Sequence, residues 1–113
     1  MKARPLKLIY GEGYINASIE EATHVKINFP GPVGELHLPV IIKGSRDDSG
    51  CWTWNGDTKK PTLRPSVLTK GHTMKSGDKP VHCHTWVNDG QSQFLDDCTH
   101  ELRGQTVDML EVA

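Results

Sequence analysis

The chain has 113 residues, 35% of them apolar, and its 13 lysines and arginines against 14 aspartates and glutamates leave a formal charge of −1. That length predicts one domain, residues 1–113, with one modest core. The near-neutral balance offers no basic footprint for nucleic acid or an anionic membrane, and no apolar run approaches the roughly 18 residues of a membrane span.

The opening Met1-Lys2-Ala3-Arg4-Pro5 does not read as a secretory signal, so a cytoplasmic location is expected. Three cysteines, an odd number in such a chain, disfavour a disulfide scaffold and point to thiols kept for metal or chemistry. Eleven glycines and seven prolines leave little room for long helices. The expected fold is mostly β: a compact antiparallel sheet, sandwich or small barrel with one short helical turn.

In chain order, residues 6–10, 24–29 and 36–42 read as strands. The second alternates cleanly, with Val25, Ile27 and Phe29 on one face and His24, Lys26 and Asn28 on the other. Pro30-Gly31-Pro32-Val33-Gly34 is a turn, and residues 44–50 are a polar loop. Trp52-Thr53-Trp54 puts two indoles on one strand face, as core or as the wall of a peptide-binding groove, before the turn signal Asn55-Gly56. Pro65 fixes Ser66 at the start of a further strand. Residues 70–79 form a polar loop long enough to act as a mobile flap.

Residues 81–95 carry the strongest local signal, two alternating runs around Asn88-Asp89-Gly90. Asp-Gly favours a two-residue type I′ turn, which makes Trp86 face Gln93, His84 face Leu95, and His82 face Asp97 if the ladder runs that far. A three-residue turn would move every pair by one. His82, His84 and Trp86 then share a face, and Cys83 points the other way. Residues 97–104 supply the short helical turn, with Asp97 as N-cap and Gly104 as terminator. Residues 106–112 alternate again as a closing strand.

Two kinds of chemistry fit these residues. Cys83, Cys98 and His100 are ligand types that zinc favours. They are the geometrically easiest trio, because Cys83 and His84 diverge on a strand; His37, His82 or Cys51 is a distant fourth. The competing reading makes Cys83 a buried small hydrophobe and His100 a turn residue. Nucleophilic catalysis needs a hydroxyl or thiol beside an imidazole and a third group to orient it. His84 suits the base. Asp97 lies either across from His82 or diagonal to His84, and a diagonal pair sits roughly 7–8 Å apart at the backbone. Ser66 and Cys98 are the candidate nucleophiles, Cys98 with His100 or His84 as its base. Backbone N–H groups near Ser66 or in the Thr99-His100 turn are candidate oxyanion donors.

The stretches Trp52-Thr53-Trp54-Asn55-Gly56-Asp57, Lys60-Pro61-Thr62-Leu63-Arg64-Pro65-Ser66-Val67, Cys83-His84-Thr85-Trp86-Val87-Asn88-Asp89-Gly90 and the run from Gln93 to Val107 resemble a domain-of-unknown-function family. Its members are small proteins common in phage genomes and often mislabelled ammonia monooxygenase. That family is in turn similar to the serine-peptidase component of bacterial ubiquitin-like conjugation operons. The resemblance implies Ser66 as nucleophile and His84 as base. With the hairpin geometry, which adds Asp97 to hold the imidazole, the expected activity is a peptidase acting on the tail of a small ubiquitin-like protein that lies along Trp52, Trp54 or Trp86. Relatives often carry a Cys-Pro-Gly-Cys-like zinc knuckle, whereas the corresponding Phe29-Pro30-Gly31-Pro32-Val33-Gly34 has no cysteine. The alternative is a non-catalytic, zinc-stapled phage accessory module that binds a host protein.

Overall fold

A computed structural model describes residues 1–42, 50–72 and 79–112. Its strands are β1 (Ala3–Ile9), β2 (Gly13–Asn16), β3 (His24–Phe29), β4 (Gly34–Ile42), β5 (Trp52–Trp54), β6 (Leu63–Gly71), β7 (Val81–Asn88), β8 (Gln91–Phe94) and β9 (Thr106–Asp108). They form one open sheet in the order β2-β1-β3-β4-β5-β6-β7-β8-β9. Neighbours are antiparallel except β4 and β5, which run parallel with Val40 beside Trp52 and Ile42 beside Trp54. The all-β expectation holds, as one mixed sheet rather than a sandwich or closed barrel. The expected loop 44–50 and flap 70–79 fall largely outside the described residues; Lys70 and Gly71 end β6.

Alternation builds the core. In β3, Val25, Ile27 and Phe29 are almost fully buried, and in β7 so are Cys83, Thr85 and Val87. Trp54, Leu63, Val67, Phe94 and Met109 join the same cluster. Thr85 and Ser92 sit in it as a satisfied polar pair, their hydroxyls 2.6 Å apart. The segment after β9 returns across the fold: Met109 N–H donates to Gly90 O, Leu110 N–H to Asn28 O and Val112 N–H to Met1 O, at 3.0, 3.0 and 2.9 Å. The sheet is thus curled far enough for its last residues to reach β3. Among the described residues no helix is long and apolar enough to cross a membrane.

The β7–β8 hairpin follows the two-residue register, with Trp86 opposite Gln93 and Val87 opposite Ser92. Asp89 and Gly90 both have positive φ, 51° and 79°, as a type I′ turn requires. Gly90 has a second constraint, since a Cβ there would lie 3.1 Å from Lys60 Cα. The loop before β6 packs against this turn, and Gly90 N–H donates to Pro61 O at 2.9 Å.

Residues 97–104 do not form the expected helical turn. Isolated tight turns replace it: Cys98 N–H bonds Leu95 O and Arg103 N–H bonds His100 O, both at 3.2 Å. The helix fails because its backbone is taken up by the sheet. Thr99 N–H donates to His82 O, and just past the segment Gln105 O accepts from Phe94 N–H, both at 2.9 Å.

The loop from β5 to β6 is held by two side chains. Asn55 Oδ1 accepts from Asp57 N–H and Thr62 N–H, each at 3.1 Å, and Asn55 Nδ2 donates to Lys60 O at 3.2 Å. Asp57 Oδ1 accepts from Lys59 N–H and Lys60 N–H at 2.8 and 2.9 Å. Asn55→Ala is expected to cost about 1–2 kcal/mol, read as a lower Tm, with Asn55→Asp milder because it keeps the acceptor. The backbone donors of Lys60 and then Lys59 hold the Asp57 carboxyl below its ordinary value of 3.8. Its contribution is therefore complete above that pH and lost as the pH falls through the folded value. Asp57→Asn should flatten that acid limb in a denaturation series.

Candidate functional site

The hydroxyl and the imidazole come together through an irregularity in β6. Leu63 pairs with Val87 and Val67 with Thr85, so four steps along β6 match two along β7. The extra residues bow out of the ladder, which is how a bulge tolerates Pro65 and re-aims a neighbouring side chain. Ser66 is therefore inside β6, not at its start, and its Oγ lies 2.7 Å from His84 Nε2. Trp52 fixes the bulge from the other side, its indole N–H donating to Ser66 O at 3.3 Å.

Asp97 touches both histidines that the sequence offered as alternatives. Its Oδ2 is 3.2 Å from His84 Nδ1 and 3.1 Å from His82 Nε2. With the proton on Nδ1 donated to Asp97, His84 Nε2 presents a lone pair to the Ser66 hydroxyl. Partial desolvation pushes the Asp97 carboxyl up, but the hydrogen bonds from His82 and His84 outweigh it and hold it below the ordinary carboxylate range.

On the other face of β7, Cys83, Cys98 and His100 group with their ligand atoms within 4.8 Å of one another. Both thiols are buried and free. His100 Nε2 is 3.2 Å from Cys83 Sγ, and its Nδ1 accepts from Leu102 N–H at 3.3 Å. Cys98 Sγ lies 3.2 Å from both the N and the O of His84, accepting from one and donating to the other. Burial, reinforced by Cys98, pushes the Cys83 thiol up to about 12; burial likewise lowers His100. The turn that lacks the cysteine knuckle abuts this cluster: a Cβ on Gly31 would come within 3.8 Å of His100 Nδ1.

The remaining candidates separate cleanly. Cys98 is 2% exposed and its sulfur is engaged with backbone, so of the two candidate nucleophiles Ser66 is the more accessible. Trp54 is 1% exposed, with its indole N–H on Asp57 O, and is core rather than groove wall. Trp52 is partly exposed and lies at the bulge. Trp86 is half-buried on the His84 face, with the Arg64 guanidinium 5.2 Å above its ring. His37 stacks edge-on with Tyr14 and His82 engages Asp97, so neither joins the thiol cluster. Thr99 N–H, spent on His82 O, is withdrawn from the oxyanion donors. Sequence reasoning missed two neighbours of the pair. Leu68 is 47% exposed and directly opposite His84, and Arg64 depends on the bulge for its place and has no local signal.

A hydroxyl, an imidazole and a carboxylate in this order on a rigid sheet is the arrangement serine hydrolases use. The family model described as bacterial ubiquitination-like system serine protease (BubE) matches residues 11–95, well over half the chain, and the chain belongs to that family. The matched span includes Ser66, Cys83 and His84 and ends before Asp97, Cys98 and His100. No curated protein and no solved structure matches the chain.

Proposed function

We propose that this protein is a serine peptidase that hydrolyses the peptide bond at the tail of a small ubiquitin-like protein, in the cytoplasm. The observation that carries the reading is the 2.7 Å contact between Ser66 Oγ and His84 Nε2. Ser66 Oγ attacks the scissile carbonyl as His84 Nε2 takes its proton, and Asp97 stabilises the imidazolium. His84 then gives the proton to the leaving amine, and water, deprotonated by His84, hydrolyses the acyl-serine. An extended tail is accommodated on the exposed face beside Leu68, Trp86 and Trp52, with Arg64 held over Trp86 by bonds from its Nη1 to Leu63 O and Val87 O. The test is incubation with ubiquitin-like proteins extended beyond their C-termini. Native protein is expected to trim the extension and Ser66→Ala to leave it intact. Tight binding by both without trimming would instead establish a non-catalytic binding module.

The Cys83, Cys98 and His100 grouping supports a second element, a zinc ion that staples β7 to the turns after β8. Two thiolates and an imidazole suit zinc in type and are one short of the closed four-ligand structural set. Zinc would supply the compensation that a buried Cys83 thiolate otherwise lacks. It would also move the His100 proton from Nε2 to Nδ1, ending the Leu102 contact. Protein purified without added zinc is expected to carry one equivalent, to lose it in Cys83→Ser, and to melt at lower temperature once chelated. A metal-free protein whose Tm ignores chelator would leave the cluster a hydrogen-bonded thiol–imidazole group.

A further inference from the structure

The Asp97 carboxylate is 52% exposed and sits in a turn, yet one of its oxygens accepts from two imidazoles at once. An exposed aspartate on a turn has free rotamers, and a single contact to His84 would leave it to swing into solvent. The residue that stops it is on the strand that carries His84. We propose that His82 is a positioning residue of the hydrolytic site: its Nε2–H anchors Asp97 Oδ2 so that the same oxygen faces His84 Nδ1. The inference rests on the Ser66–His84–Asp97 reading above and adds a residue to it.

The surrounding contacts separate this role from a structural one. His82 holds the turn through its backbone as well: its N–H donates to Thr99 Oγ1 at 3.0 Å and its O accepts from Thr99 N–H at 2.9 Å. Those two bonds survive any change of side chain, so the turn stays docked when the imidazole is removed. What is lost is the second donor on Oδ2. Because the two histidines are two apart on β7, they face the same way and straddle the carboxylate. A single carboxylate oxygen held between the two rings is what gives His84 one tautomer, with its proton on Nδ1 and its Nε2 lone pair on Ser66.

The test compares His82→Leu, which has no donor, with His82→Gln, whose amide N–H reaches toward the Nε2 position. His82→Leu is expected to lower kcat about tenfold, the worth of roughly one hydrogen bond, with KM within about twofold and with Tm close to native. His82→Gln should restore most of kcat. In an Asp97→Ala background His82→Leu should have no further effect, because its action passes through the carboxylate. Nitrogen-15 NMR of the imidazoles in alkaline buffer, where imidazoles are neutral, reads the same contact without substrate. Native His84 is expected to carry its proton on Nδ1, and His82→Leu to show a tautomer mixture. An unchanged tautomer and an unchanged kcat in His82→Leu overturn the proposal, as does an equal loss with and without Asp97. Should Ser66→Ala still hydrolyse substrate, the peptidase reading falls while the tautomer measurement still decides what His82 does.

Discussion

Ser66→Ala is expected to abolish trimming of the extended ubiquitin-like substrate, with kcat falling by about 10⁴- to 10⁶-fold. The hydroxyl is half-buried on the bulge and packs nothing in the core, so Tm should stay within about 1 °C of native. His84→Ala should fall as far, since nucleophile and base act as one unit and their losses do not add. Asp97→Ala should cost somewhat less, about 10⁴-fold, because nucleophile and base remain but the imidazole loses the carboxylate that fixes its tautomer. Thiol alkylation supplies the counter-test. Cys51 is the most accessible cysteine and should react first, and activity should persist; inactivation tracking Cys98 modification would make the buried thiol the nucleophile.

Trp54→Ala is the substitution expected to harm the fold most. The ring is 1% exposed, sits at the junction where β5 pairs with both β4 and β6, and carries a hydrogen bond to Asp57 O. Truncating a buried aromatic leaves a cavity worth about 3–5 kcal/mol, a large part of the 5–15 kcal/mol that holds a typical domain together. Chemical denaturation should show a sharply lower midpoint with the slope unchanged. Trp86→Ala, on a partly exposed ring, should leave that midpoint near native and raise KM instead. Trp52→Ala, whose ring packs on the core and holds the bulge through Ser66 O, should lower the midpoint less than Trp54→Ala and lower kcat as well. If Trp54→Ala melts like native and Trp52→Ala unfolds, the roles of buried core and partly exposed wall have been assigned to the wrong indoles.

The contrast between those two indoles shows what sequence carries and what it does not. Trp52 and Trp54 share a strand face on paper, yet one is partly exposed and the other buried, because β5 is a three-residue strand clasped between a parallel and an antiparallel neighbour. The hairpin was legible as a choice of two registers: Asp-Gly favours the type I′ turn, and that turn, once formed, sets every pair from Asn88 to Phe94. Alternation in residues 24–29 likewise gave the buried face of β3. The short β2 strand was missed, since Gly13-Tyr14-Ile15-Asn16 has no alternation of its own and exists by pairing with β1. The parallel β4–β5 pairing is equally silent in sequence, because nothing local distinguishes it from a hairpin.

The site was half legible for a similar reason. Ser66, His84 and Asp97 are recognisable as residue types, and the hairpin register places the last two near each other. Bringing Ser66 to His84 needs the bulge between Leu63 and Val67, a tertiary feature whose one local sign is a proline inside a strand. The turn at 97–104 looked like helix because Asp97 and Gly104 are good boundary residues. Pairing of Thr99 with His82 outcompetes helix formation, and the same pairing delivers Asp97 to the histidines.

The most direct measurement is peptide mass mapping after reaction with a fluorophosphonate, run alongside His84→Ala. Native protein is expected to carry one phosphonyl group, on Ser66, formed at a rate that collapses when His84 is replaced. A native protein that stays unmodified, or that is labelled elsewhere, would contradict a working nucleophile at the bulge.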